Sequence, residues 1–260
     1  MCPQGTNSLV AGATSCTAFF NVTPSTGANG TISPSIVQAI AQGGTTTFTV
    51  TPNSGFVTNV SGSCSGSFAG TTFTAAAITA DCTVTASFTP VRAIVAVQSR
   101  KNHAGRPYDI AIDTVVSNPR TVEPPTIGSG HSIVFQFNIP ITIAGTGSLV
   151  DAASAPISTA TMAIAGNDVV VTITNVPDNQ RVTITLAGVN GSGTYVAPMG
   201  FLVGDVNNTR SVNSSDLSGV KARSGQTTTA LNFRFDVNAS GAINSSDISA
   251  VKARSGLSLP

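Results

Sequence analysis

The sequence predicts a mainly β, multidomain chain that closes with a small α-helical module. Three observations carry this. Short runs rich in Thr, Val and Phe alternate in polarity and are broken by Gly, Pro and Asn, the pattern of strands and tight turns. All four cysteines fall within the first 82 positions, as in a small disulfide-stapled β domain. Near the C-terminus one stretch is written twice, 31 residues apart: Asp205-Val-Asn-Asn-Thr-Arg-Ser-Val-Asn-Ser-Ser-Asp216 and Asp236-Val-Asn-Ala-Ser-Gly-Ala-Ile-Asn-Ser-Ser-Asp247. A duplication this close marks a structural unit used twice.

At 260 residues the chain has room for two or three domains. Charged residues make up 9%, there is no Trp, and the formal net charge is +1. That balance points to neither nucleic acid nor an anionic membrane as partner. No apolar run approaches the ~20 residues of a membrane span. Residues 1–91 hold no Lys or Arg and a single acid, Asp81. Soluble surfaces normally mix both signs, so a neutral Thr/Ser/Gly surface calls for a cover: carbohydrate, other domains, or copies of the same chain.

Residues 21–90 read as a small β repeat domain. Thr46–Thr51 and Cys82–Phe88 are its clearest strands, and Pro24, Gly27, Gly30, Pro34, Gly43 and Pro52 are among its turn signals. The cysteines form two similar pairs, Cys2 with Cys16 and Cys64 with Cys82. Disulfides within each pair imply an oxidising, extracytoplasmic location; free buried cysteines are the alternative. The parallel between the pairs makes residues 1–20 the tail of a preceding repeat, in a chain that begins inside a longer protein. This also fits the lack of a basic and an apolar leader region after Met1. The other expectation for this segment is an assembly strand that completes a neighbour's sheet. The phrase Asn21-Val-Thr-Pro-Ser-Thr-Gly-Ala-Asn-Gly-Thr-Ile-Ser-Pro34, with the later Thr-Pro-Asn-Ser-Gly-Phe56, resembles the divergent internalin-type B-repeats of bacterial surface and secreted proteins. That resemblance implies a spacer or adhesive module.

Residues 91–199 offer strands at Val91–Val97, Tyr108–Val116, Ser132–Phe137, Ile141–Ala144, Thr159–Ile164, Asp168–Thr174 and Gln180–Leu186. The first two are joined by a loop over 98–107, and the last two flank the turn Pro177-Asp-Asn179. About seven short strands at this spacing predict an immunoglobulin-like β-sandwich. Ile133-Val-Phe-Gln-Phe-Asn-Ile-Pro140 and Val176-Pro-Asp-Asn-Gln-Arg-Val-Thr-Ile184 resemble immunoglobulin-like domains of bacterial surface-layer proteins.

The duplicated stretch places oxygen-bearing side chains at positions 1, 3, 5, 9 and 12 of a twelve-residue loop. They are Asp205, Asn207, Thr209, Asn213 and Asp216, then Asp236, Asn238, Ser240, Asn244 and Asp247. Position 7, Ser211 or Ala242, offers its backbone carbonyl. This is the ligand spacing of an EF-hand loop with Asp at position 12, and it supplies the six to eight hard oxygens that calcium takes. A helix follows each loop, capped by Ser214 or Ser215 and its counterpart, with Asp216 or Asp247 at the positive end. Lys and Arg fall in its last turn, and Gly225 or Gly256 stops it.

Over residues 203–257 this arrangement resembles the type I dockerin, a pair of calcium loop–helix repeats. Position 5, usually Asp in that family, is Thr209 and Ser240; position 6, usually Gly, is Arg210 and Gly241. With two carboxylates per loop, calcium affinity is expected near the roughly 10⁻⁴–10⁻³ M of extracellular modules, the first loop being the weaker. The resemblance places partner recognition at Ser214-Ser215 and Ser245-Ser246, assisted by Lys221, Arg223, Lys252 and Arg254. It implies a cohesin-like or immunoglobulin-like β-sandwich as partner, on another protein, in this chain, or on a neighbouring copy.

Catalytic signals are sparse. Gly-x-Ser-x-Gly, His-Glu-x-x-His and phosphate-loop motifs are all missing. Asp109 and Asp113, four apart, would share a strand face and could mimic a glycosidase pair, but they read as ordinary turn or edge-strand acids, like Glu123. His103 reads as a solvated turn residue and His131 as the start of a strand. Asn21, Asn29, Asn59 and Asn190 begin Asn-x-Ser/Thr acceptors for glycan. The expectation is a non-catalytic structural or adhesion protein, extracellular or on a bacterial cell surface, with calcium-dependent docking and head-to-tail fibre assembly as one arrangement. The alternative is the accessory region of a secreted hydrolase.

Overall fold

The computed structural model describes residues 6–7, 17–114, 121–122, 131–157, 160–174 and 176–260. Cys2, Cys16 and Glu123 lie outside them, and with them the Cys2–Cys16 pairing. The chain divides into two compact units, Met1–Val91 and Arg92–Pro260. It is mainly β.

The first unit contains β1 (Thr6–Asn7), β2 (Thr17–Thr26), β3 (Gly30–Ser33), β4 (Gln38–Ala41), β5 (Thr47–Pro52), β6 (Phe56–Ser61), β7 (Gly66–Ala69), β8 (Thr72–Ala75) and β9 (Cys82–Pro90). One sheet runs β1-β2-β9-β6 with β4 also on β2; the other runs β3-β5-β8-β7. Strict alternation explains the layering. In β5, Phe48 and Val50 turn inward while Thr47, Thr49 and Thr51 face out. Val84, Ala86 and Phe88 of β9 do the same, and with Val22, Ile32 and Phe73 they fill one core. The Cys64–Cys82 disulfide closes an 18-residue separation and pins the start of β9. Strand β2 crosses the boundary expected between residues 20 and 21, pairing in parallel with β9 from Val22 to Thr26. The one acid of this region, Asp81, accepts from the Asn21 amide at 2.8 Å.

The second unit contains β10 (Ile94–His103), β11 (Arg106–Ala111), β12 (Thr121–Val122), β13 (His131–Phe137), β14 (Thr146–Asp151), β15 (Ala160–Ala165), β16 (Asp168–Ile173), β17 (Gln180–Ala187) and β18 (Thr194–Phe201). They form the sheets β11-β10-β13-β16-β15 and β12-β18-β17-β14. Ile133, Phe135, Val169, Val171 and Ile173 of the first meet Leu149, Val182, Ile184, Leu186 and Met199 of the second in a shared core, so the two sheets make a sandwich. The loop expected over 98–107 is instead a continuous hairpin. His103 pairs with Arg106 across a two-residue turn, Ala104 (φ 48°) and Gly105 (φ 86°), both in the left-handed region that such turns require. Ile141–Ala144 is not a strand; the side chain of Asn190 (φ 46°) accepts from the Thr142 and Ile143 amides there, occupying groups a ladder would need. His131 does begin a strand, and it is buried against Phe201 with a ring separation of 5.1 Å. Burial pushes its pKa down to about 3, with Lys101 and His103 adding to the shift.

The same unit ends in α1 (Ser214–Lys221) and α2 (Ser245–Ala253). Their shared core is the duplication made physical: Val206 with Val237, Val212 with Ile243, and Val220 with Val251, all buried. Among the described residues, no helix is long and apolar enough to cross a membrane.

Candidate calcium and docking site

Each twelve-residue loop is organised by its two aspartates, all four of which are buried. In the first, Asp205 accepts from the amides of Thr209 (2.9 Å) and Arg210 (2.8 Å). Asp216 accepts from Val206 and Asn207 through Oδ1 and from Asn213 through Oδ2. The second loop repeats this: Asp236 accepts from Ser240 and Gly241, and Asp247 from Asn238 and Asn244. The backbone repeats too. Positions 4 and 6 have positive φ in both copies, at Asn208 and Arg210, then Ala239 and Gly241.

The helix caps correct the sequence expectation. Asn213 and Asn244 are the N-caps, accepting from the Ser215 and Ser246 amides at 2.8 Å, so Ser214 and Ser245 are already the first helical residues. The reason is the reciprocal bond. Only Asn lies three residues before the aspartate that reaches back to the cap amide, which closes a capping box. Asp216 and Asp247 thereby tie the helix start to the loop start.

Each repeat also braces the other's loop. After α1 the chain pairs with the second loop: Gly225 donates to Ile243, Ile243 to Gln226, and Thr228 to Gly241. After α2 it pairs with the first in the same register: Gly256 donates to Val212, Val212 to Leu257, and Leu259 to Arg210. Neither loop is complete without the opposite half.

The donor set fits a hard cation. Thr209 Oγ1 lies 3.3 Å from the Ser211 carbonyl, and Ser240 Oγ lies 3.0 Å from the Ala242 carbonyl and 3.3 Å from Asp236 Oδ1, so the oxygens at positions 1, 5 and 7 converge in the second loop. Burial raises the Asp247 pKa, and the negative charge of Asp236 adds to the rise against the opposing amides of Asn244 and Asn238. A positive charge beside Asp247 would offset that rise, since it favours the ionised carboxylate. Burial also pushes Asp236 upward, but the His103 ring, the Gly241 amide and the Thr228 hydroxyl outweigh it, and its net shift is downward. Among the described residues no group of three or more His, Cys, Asp or Glu is placed to hold a metal ion, so the donors on offer are two carboxylates per loop with amide, hydroxyl and carbonyl oxygens.

Residues 203–254 match the family model of the dockerin type I domain. Comparison with curated proteins returns no match, and comparison with solved structures returns none. Type I dockerin domains bind calcium, and the dockerin implies a cohesin partner.

On the matched segment, Ser214, Ser215, Ser245, Ser246, Lys221 and Lys252 are exposed, as a docking face requires. Two of the expected recognition residues are engaged elsewhere. Arg223 lies over the Phe235 ring at 3.8 Å and donates to the Gly219 carbonyl. Arg254 donates to Asp178 of the sandwich at 2.7 Å, and the other oxygen of Asp178 accepts from the Val203 amide. His103 is no solvated turn residue: it is buried with Nδ1 2.9 Å from Asp236 Oδ2, because the hairpin it ends runs into the second loop. Nothing in its local sequence marks it, since the contact spans 133 positions. The acids weighed for catalysis separate: Asp109 is clamped by Arg100 at 2.7 and 2.8 Å, and Asp113 lies past the end of β11. Of the glycan acceptors, Asn21, Asn29 and Asn59 are exposed, while the Asn190 amide donates to the Pro140 carbonyl.

Proposed function

We propose that this chain is a non-catalytic, extracellular modular β protein whose C-terminal dockerin module holds two calcium ions and docks onto a cohesin-type β-sandwich of another protein. One observation carries the reading: the same loop, cap and helix are built twice, with the serine pairs and a lysine exposed on both helices. Calcium would be held by Asp205, Asn207, Thr209, Ser211, Asn213 and Asp216 in the first loop. In the second the holders are Asp236, Asn238, Ser240, Ala242, Asn244 and Asp247. Calcium supplies a positive charge beside each buried Asp pair. The chain's own residues fix the loop ends to the helices and brace each loop from the opposite repeat, so metal binding and module folding are linked. The Cys64–Cys82 bond fits an oxidising, extracytoplasmic setting.

The test is binding of the full chain to immobilised type I cohesins, with calcium and after chelation. Saturable binding that chelation abolishes supports the reading. Binding that ignores chelation, or no binding to a broad cohesin panel by a calcium-loaded chain, overturns it.

A further inference from the structure

The tip of the β10–β11 hairpin lies against the second loop, and the fit is specific on both sides. The Ala104 amide donates to the Ala239 carbonyl at 3.2 Å. A Cβ on Gly241 would lie 2.6 Å from the Ala104 Cβ, so glycine there serves the close approach as well as its φ of +87°. His103 Nδ1 sits 2.9 Å from Asp236 Oδ2, with both residues buried. A carboxylate oxygen only accepts, so Nδ1 carries the hydrogen. Oδ2 thus takes three donors, from His103, the Thr228 hydroxyl and the Gly241 amide. Oδ1 is left on the side of Ser240, toward the loop's other ligands. Around this bond Tyr108 stacks on Phe233 at 5.0 Å, and its hydroxyl donates to the Thr228 carbonyl.

The first loop is the internal control. It has the same ligand pattern, but Leu259 stands where the second has Thr228, and Arg210 stands where it has Gly241. A side chain at that position would meet the hairpin tip.

We propose that the β10–β11 hairpin is part of the second calcium site, with His103 as its positioning residue, so that calcium binding there and seating of the module on the sandwich are one coupled event. The proposal rests on the calcium reading of the loops. The hairpin orients Asp236, and calcium in turn orders the loop surface on which the hairpin rests; by linkage each strengthens the other by the same factor. The module is then a rigid extension of the sandwich when loaded, and only its other surfaces remain for an outside partner.

Hydrogen exchange of the full chain, with and without calcium, tests this alongside calorimetric calcium titration. Calcium is expected to slow exchange at 103–105 together with 236–247. His103→Ala is expected to weaken the second site by about tenfold, the effect of one hydrogen bond to a charged group, without touching the first. His103→Asn, whose amide N–H stands near the Nδ1 position, is expected to recover most of the affinity and shows that the effect is not misfolding. Calcium that binds both loops and protects 236–247 while 103–105 stays unchanged overturns the coupling alone. No calcium binding at either loop overturns the site reading and the coupling with it.

Discussion

Position 6 of the two loops shows how a single residue sets local cost. Gly241 holds φ +87° without penalty, whereas Arg210 is driven to φ 68° by the same backbone path. A non-glycine residue in that region costs on the order of 1 kcal/mol. Arg210→Gly should therefore stabilise the apo module by about 1 kcal/mol in denaturant melts. It should also tighten the first calcium site by removing a cation. His131 gives a second prediction. Its folded pKa is lowered to about 3, so the unfolded chain takes up the proton first. The associated stability is fully present above about pH 6.5 and is lost as pH falls toward 3, by at most about 1.4 kcal/mol per pH unit. His131→Phe, which keeps the contact on Phe201, should flatten that acid slope in thermal melts. Residues whose role is set by spacing were legible in the sequence, as the ligand positions show. His103, Thr228 and Asp178 were not, because each acts across a contact 8 to 133 positions away.

At the scale of elements, the capping box makes each helix depend on its loop. Asn244→Ala should lower the stability of the module by about 1 kcal/mol, read from its unfolding midpoint, and Ser245→Ala at the first helical position should cost little. The strands that alternate Thr with Val or Ile were readable in advance, as β5, β16 and β17 show. β14 and β18 were not, because Gly147, Pro198 and Gly200 interrupt their pattern. Pro198 has no amide hydrogen to give a ladder, and β12 pairs with β18 only beyond it, at Gly200 and Phe201. In the first unit the disulfide closes an 18-residue separation, for which chain entropy predicts about 3 kcal/mol. Replacing both Cys64 and Cys82 by Ala should lower that unit's stability by this amount and leave the second unit's transition where it was, a difference visible by calorimetry.

For the whole molecule, the duplication was plain in the sequence but its consequence was not. The tails that cross-brace the loops, Gly225-Gln-Thr-Thr228 and Gly256-Leu-Ser-Leu259, share little beyond glycine. Their pairing is carried by backbone groups, which composition does not reveal. The seating of the module on the sandwich was equally hidden, since Arg254 and His103 carry no mark of their partners. Calorimetric titration of the full chain with calcium tests the central claim most directly. Two ions per chain, with dissociation constants in the range of about 10⁻⁴–10⁻³ M, is the result expected, and Asp247→Asn should remove one of them. A chain that takes up no calcium at ten times that concentration would contradict the account.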